Sequence, residues 1–409
     1  MTAHGGRGSW ASRFSTAGLG VVAVAHIGYP LAVRLAARRS AAGNSTSASD
    51  RSLPTPMLSV IIPAYDEAPF IVRKLQDTLA QDYPCDRLEI VVVDDGSIDG
   101  TAAAARSVGD SRVRVIVQQE RSGKSAALNR GVQDAVGEII VFTDANGSLD
   151  AGSLRAVVAA FDHPKVAVVS GRKRPIGDGA HGSGESMYWR YESALKDAEG
   201  ILGSVVGADG GIYAVRKSLY QPIPGGIYAD DYWIPISSLS RGLMVRHAMG
   251  ACATESISHT KRDDFERRKR IAAGVWQVTL SHPHLAQPRH GWTAVAFVCH
   301  RFLRTLVVPW LLPVILIASW FAGRGGNKWM RSLFAAQACA WSAAGIGAVS
   351  DVKVFAVPYQ FGMANTAAIF GGYRHLGRRQ SGLWRRTERG QWHESGMDEL
   401  IVQHPAGSG

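Results

Sequence analysis

The chain has 409 residues, a formal charge of +11 and a sequence pI of about 9.7. That length holds one large domain, or two, with additional segments. Arg and Lys cluster beside apolar segments and near the C-terminus, with no aromatic-interleaved basic motif. A membrane surface or a phosphate-bearing substrate therefore accounts for the charge, and nucleic acid does not. The four cysteines (Cys85, Cys252, Cys299, Cys339) are scattered with no CxxC, which speaks against a zinc site or a disulfide framework and suits a reducing compartment.

In chain order, residues 1–16 are small and polar and are expected to be unstructured. Residues 17–37 are apolar and just long enough to cross a bilayer. Arg34, Arg38, Arg39 and Arg51 lie at or beyond its end, which places that side in the cytoplasm. A cleaved signal peptide is the rival reading, but its charge should precede the apolar stretch. Residues 38–56 read as a Ser/Ala/Pro linker.

Four short apolar runs follow, LSVIIPAYDE, LEIVVVDDGS, VRVIVQ and EIIVFTDAN, separated by helical segments at 69–81, 101–108 and 122–136. Such alternation predicts an α/β fold with a mostly parallel sheet covered on both faces, whose strands share one direction. Ligands then bind at the carboxyl edge. Tyr65, Asp94, Asp95, Asp144 and Asn146 all fall at strand ends, and Lys124 opens the helix between the two acidic clusters. Any one Asp here could serve as a turn or cap residue. Their convergence on one edge points to a site.

Beyond this core, 151–161 is predicted helical, 166–171 a buried strand, 175–184 a Gly-rich loop, and 185–199 a helix with an aromatic stripe of core type. Asp209, Gly210 and Gly211 precede a short strand at 212–215 and let backbone approach a ligand. Asp230 and Asp231 begin a helix, where a single cap would need only one of them. The helix 261–277 carries Arg267, Arg268 and Arg270, with Arg267 and Arg270 on one face. Residues 292–304 suit a helix lying in the membrane interface. Residues 306–322 and 333–349 are span candidates, 354–370 is an interrupted apolar segment, and 374–409 form a basic tail. A cytosolic domain and a cytosolic tail require an even number of C-terminal crossings, hence two spans plus one re-entrant or interfacial helix.

Chemically, Asp144 with an oxygen ligand at Asn146 suits Mg²⁺ or Mn²⁺ bridging a diphosphate. Lys124 and the arginine row would neutralise the same leaving group. A separate carboxylate would take a proton from a nucleophile. Neither a Walker motif nor a GxGxxG fingerprint is present.

These residues resemble the membrane-associated family 2 glycosyltransferases, inverting enzymes of GT-A fold that use nucleotide sugars. The resemblance covers residues 57–277 and extends loosely through the membrane segments. It implies a catalytic domain at 57–283, followed by membrane helices at 292–373. SVIIPAYDE looks like the opening strand, which implies that Tyr65 lies against the base. VDDGS implies Asp95 as partner of the base with Asp94 beside it, and GKSAALNRG implicates Lys124 at the diphosphate. TDAN stands where the DxD metal motif belongs, giving Asp144 and Asn146. ADDYW implies Asp231 as general base, with Asp230 in the place of a preceding acidic residue. RRKRI sits where processive members carry QxxRW, with Arg267 for Gln and Ile271 for Trp. The expected partners are a nucleotide sugar, most simply UDP-linked, a lipid-linked or glycan acceptor, and membrane lipids. A processive polysaccharide synthase and an inactive nucleotide-sugar-binding scaffold are the alternatives. The expected location is the cell membrane, multi-pass, with the domain facing the cytoplasm.

Overall fold

A computed structural model describes residues 5–43, 55–177, 179–258 and 260–377. Eight strands form one sheet: β1 (Leu58–Ala64), β2 (Leu88–Asp94), β3 (Val113–Val117), β4 (Ile139–Phe142), β5 (Gly147–Leu149), β6 (Val166–Ile176), β7 (Tyr213–Arg216) and β8 (Met244–Ser256). Their order is β3-β2-β1-β4-β7-β6-β8-β5. The pairs β1/β2, β1/β4, β2/β3 and β6/β8 are parallel, so the sheet is mostly parallel as expected. It does not run one way throughout. β7 lies antiparallel between β4 and β6, and β5 antiparallel to β8.

Side chains alternate across the strands and supply two cores. On one face Leu58, Val60, Ile62, Ile90 and Val92 pack with Ile71 and Leu75 of the helix Ala68–Leu79. On the other, Ile61, Val91, Val93, Ile140 and Phe142 pack with Leu128 and Val132 of the helix Lys124–Asp134. Tyr29, Val33 and Ala37 of the N-terminal helix join this second core. Pro63 is tolerated in the central strand β1 because the ladder to β4 ends at Ile61. Past that point β1 has no neighbour on the β4 side, and the edge opens.

Several expectations change. Gly5–Ala23 is helical rather than unstructured, and a π-helical turn (Val24–Gly28) carries it into Tyr29–Gly43, so the helix also takes the start of the expected linker. The reason is tertiary. This helix packs against Val308–Arg324 closely enough that a Cβ on Gly18 would lie 2.9 Å from Ile315. The expected loop at 175–184 is strand up to Ile176 and helix from Gly179 to Leu202. The expected interfacial helix is continuous with the span after it: Trp292–Ala296, a π-helical stretch Phe297–Val307, then Val308–Arg324. Pro309 falls in the first turn after the π-helical stretch, whose wider winding accommodates the missing N–H.

By length and composition, Trp10–Ser40, Trp292–Arg324 and Lys328–Val349 could each cross a membrane. The interrupted segment forms the helix Ala356–Leu376, which packs on Lys261–Ser281; a Cβ on Gly371 would meet Ala272 at 2.6 Å. Most of the basic tail, from residue 378, lies outside the described residues.

Candidate active site

The carboxyl ends of β1, β2 and β4 gather the predicted residues in two groups. Asp94 turns back on its own loop, accepting from the Ser97 amide at 3.0 Å and from the Ser97 hydroxyl. Asp95 is fully buried and accepts from the amides of Ser122 (2.7 Å) and Gly123 (2.8 Å) at the start of the helix Lys124–Asp134. Burial raises its pKa, against those two hydrogen bonds. Asp95 thus positions the loop that presents Lys124. Tyr65 carries the Arg121 guanidinium 3.6 Å from its ring centre. Arg121 was missed in the sequence, although it lies three residues before Lys124.

The second group lines a cavity of about 690 Å³, which Tyr65, Asp94 and Asp95 do not reach. Lys124 Nζ lies 2.9 Å from Asp144 Oδ1 and 3.3 Å from Asp230 Oδ1. Burial disfavours its charge, but Asp144, Asp230 and Asp231 outweigh that and hold it above the ordinary lysine range. Asp230 is buried and takes a hydrogen bond from the Tyr213 hydroxyl. Asp231 behaves differently. Burial first, then the neighbouring Asp230, push its pKa up to about 7, with Lys124 pulling the other way. The two adjacent carboxylates therefore differ: Asp230 is held by Lys124 and Tyr213, while Asp231 is the one whose pKa burial and Asp230 push toward neutrality.

Asn146 Oδ1 is buried with no hydrogen-bond partner in the protein. An orphaned amide oxygen beside Asp144 fits a hard divalent cation. Among the described residues, no group of three or more His, Cys, Asp or Glu could hold a metal alone. Asp144 and Asn146 would supply two oxygen ligands, leaving the other positions to water or substrate.

Asp209 is buried and paired with Lys196, and Glu255 is buried and paired with Lys173. Between them, a Cβ on Gly210 would lie 3.0 Å from Asp231 Oδ2, and one on Gly211 3.1 Å from Glu255 Oε1. The Gly211 carbonyl is fixed by Thr143 Oγ1 (2.7 Å), which accepts from the buried Lys74 (2.9 Å). Desolvation brings Lys74 down to about 8. Its signal was in the sequence: Lys74 sits within the buried stripe Ile71, Leu75, Thr78 of an amphipathic helix.

The arginine row has partners of its own. Arg267, Arg268 and Arg270 do line the cavity. Arg267, however, donates to Glu185 (2.8 Å) and Asp264 (2.9 Å), and Arg268 to Asp264 (3.0 Å) and Gln360 (3.1 Å). Arg267 and Arg268 brace the helices around the cavity.

Residues 59–221 match the family model described as Glycosyl transferase family 2. Glycosyltransferase AglE of Haloferax volcanii is 39% identical over 95 residues, 23% of this chain and 31% of that protein. The poly-beta-1,6-N-acetyl-D-glucosamine synthase of Staphylococcus aureus is 24% identical over 231 residues, 54% of this chain and 55% of that protein. The chain thus spans about a third to a half of the length of these curated relatives. Among solved structures, the mannosyltransferase PcManGT from Pyrobaculum calidifontis, in complex with GDP-Man and Mn²⁺, superposes with a TM-score of 0.71 at 26% identity, covering 90% of this chain and 100% of that one. Residues 59–221 are a glycosyl transferase family 2 domain, and the sheet that carries them has the GT-A fold.

Proposed function

We propose that the protein is a membrane-anchored inverting glycosyltransferase that moves a sugar from a nucleoside diphosphate sugar to a hydroxyl of a lipid-linked or glycan acceptor. One observation carries this: Lys124, Asp144, Asp230 and Asp231 converge on one cavity, with Asp231 alone displaced to about 7. Asp231 accepts the acceptor proton as the oxygen attacks the anomeric carbon. Lys124 holds its positive charge against the departing diphosphate. Gly210 and Gly211 leave room for the donor sugar between Asp231 and Glu255. Asp144 and the free Asn146 oxygen would hold Mg²⁺ or Mn²⁺, which when bound neutralises the diphosphate. Tyr65, Asp94, Asp95 and Arg121 form the end of the site assigned to the nucleoside. The similar mannosyltransferase binds GDP-Man, so GDP-sugars stand beside the UDP-sugars expected from the sequence. The catalytic domain faces the cytoplasm, and the arginines after the N-terminal span support that side.

The test is a panel of UDP- and GDP-sugars given to the purified full chain with Mn²⁺, reading nucleotide release and acceptor labelling. Release from one donor, lost in Asp231→Asn, supports the reading. Donor binding without release across the panel would leave a nucleotide-sugar-binding scaffold instead.

A further inference from the structure

Asp144 and Asn146, the residues that would hold the cation, sit in the short segment between β4 and β5. One stretch of chain holds that segment at both ends. At its start, Lys74 of the helix Ala68–Leu79 donates to Thr143 Oγ1 at 2.9 Å, and the Thr143 hydroxyl donates to the Gly211 carbonyl at 2.7 Å. At its end, Asp77 accepts from the Ser148 hydroxyl at 2.9 Å and from the Leu149 amide at 2.8 Å. Gln81, just past the helix, donates to the Leu149 carbonyl at 3.2 Å. β5 is the last strand of the sheet, so Asp77 and Gln81 stand in for a further strand. Lys74 and Asp77, three apart, share one face of their helix.

Stability alone does not call for this arrangement. Lys74 is 2% exposed, in the same buried stripe as Ile71 and Leu75, where an apolar side chain would avoid desolvating a charge. Behind the segment lies a second cavity of about 250 Å³, between Phe70, Arg73 and Asp77 on the helix and residues 145–148 opposite. Asn146 lines both this cavity and the main one. Close packing is interrupted behind it, so the polar contacts at the two ends of the segment carry its placement. The contact at the start reaches further. Through Thr143 it also fixes Gly211, so the Asp144 segment and the turn assigned to the donor sugar are tied together.

Resting on the transferase reading, we propose that Lys74 and Asp77 are positioning residues for this site. Together they set the placement of the Asp144 and Asn146 oxygens, and Lys74, through Thr143, couples that placement to the donor-sugar turn. Neither residue lines the main cavity.

The experiment uses the purified full chain without acceptor. Mn²⁺ affinity is read by electron paramagnetic resonance. Binding of UDP, GDP, UDP-glucose and GDP-mannose is read by calorimetry, with Mn²⁺ and, for the two diphosphates, also in chelator. Thr143→Val keeps the shape but neither accepts from Lys74 nor donates to Gly211. It should weaken Mn²⁺ about tenfold and weaken the nucleotide sugar more than its diphosphate, whereas Thr143→Ser restores most of both. Asp77→Ala should weaken Mn²⁺ about tenfold and leave the ratio of nucleotide sugar to diphosphate unchanged, whereas Asp77→Asn retains most of the affinity. Diphosphate binding in chelator should stay at the wild-type value in all four variants. Unmoved Mn²⁺ affinity in Thr143→Val and Asp77→Ala would overturn the proposal, as would Thr143→Ser behaving like Thr143→Val. Diphosphate binding in chelator that falls by the same factor as Mn²⁺ binding would show a general loss of structure and also overturn it. Wild type that binds neither diphosphate nor Mn²⁺ would instead sink the transferase reading, and this proposal with it.

Discussion

Asp231→Asn separates chemistry from stability in opposite directions. The substitution keeps shape and hydrogen-bonding capacity and removes the proton acceptor. Transfer should fall by about two to four orders of magnitude, with nucleotide binding retained. Stability should rise. The carboxyl is displaced from 3.8 to about 7 by burial and by Asp230. In the unfolded chain it ionises at its ordinary value, but in the fold it resists ionisation until pH is near 7. Stability contributed by this group is therefore present at low pH, lost progressively between about pH 4 and 7, and absent above that range. The displacement corresponds to about 4 kcal/mol at most. Asn never ionises and avoids that cost, so the variant should melt higher than wild type at about pH 8 and nearly equally at about pH 4. Wild-type kcat/KM should rise with pH through about 7. Melting curves at both pH values and a pH–rate profile check this. Near-normal turnover in Asp231→Asn with a dead Asp230→Asn would show that the other carboxylate is the base. A rate flat between about pH 5 and 9 would refute the assigned role.

Asp144→Ala should abolish transfer, and a chelator should silence wild type reversibly with Mn²⁺ or Mg²⁺; Asn146→Asp should keep activity and tighten metal binding, read by metal titration. Gly211→Ala should cost at least about tenfold in donor kcat/KM, because its Cβ would lie 2.9 Å from Ala253 and 3.1 Å from Glu255 Oε1; unchanged kinetics would remove the donor sugar from this position. Reporter fusions after Arg39 and after Arg389 should both report cytoplasm; an external signal from the second would mean that the helix Ala356–Leu376 crosses the bilayer.

The parallel half of the fold was legible because each strand is a short β-branched run ending in a polar cluster, a local signal. β8 was not. Its sequence MVRHAMGACATES mixes half-buried Arg and His with small residues, so no period survives. It holds together through its pairing with β6, some 70–80 residues away. The meeting of Asp144 and Lys124 was legible as a shared sheet edge, whereas Asp230 was legible only as the start of a later helix. That Lys124 bridges Asp144 and Asp230, and that burial beside Asp230 raises the Asp231 pKa, depends on distances no spacing encodes. The partners of Arg267 and Arg268 were only half legible. Asp264, three and four residues before Arg267 and Arg268, was a readable helical partner for both. Glu185, 82 residues distant, was not.

The N-terminal helix is part of the fold around the cavity and not a separate unit. Tyr29, Val33 and Ala37 are buried in the same core as β2, β4 and the helix Lys124–Asp134. The Tyr29 hydroxyl meets Glu199, which His300 joins to Glu192 and so to Arg304. Three segments far apart in sequence thus share one buried set of charges beside the cavity. Deleting the helix would expose the core and take one hydrogen bond from a buried carboxylate, which costs more than the bond alone contributed. Glu192 would lose its fixed position through His300, and Arg304 with it. This part of the cavity wall therefore depends on the N-terminal helix, although among the described residues only His26 of that helix lines it.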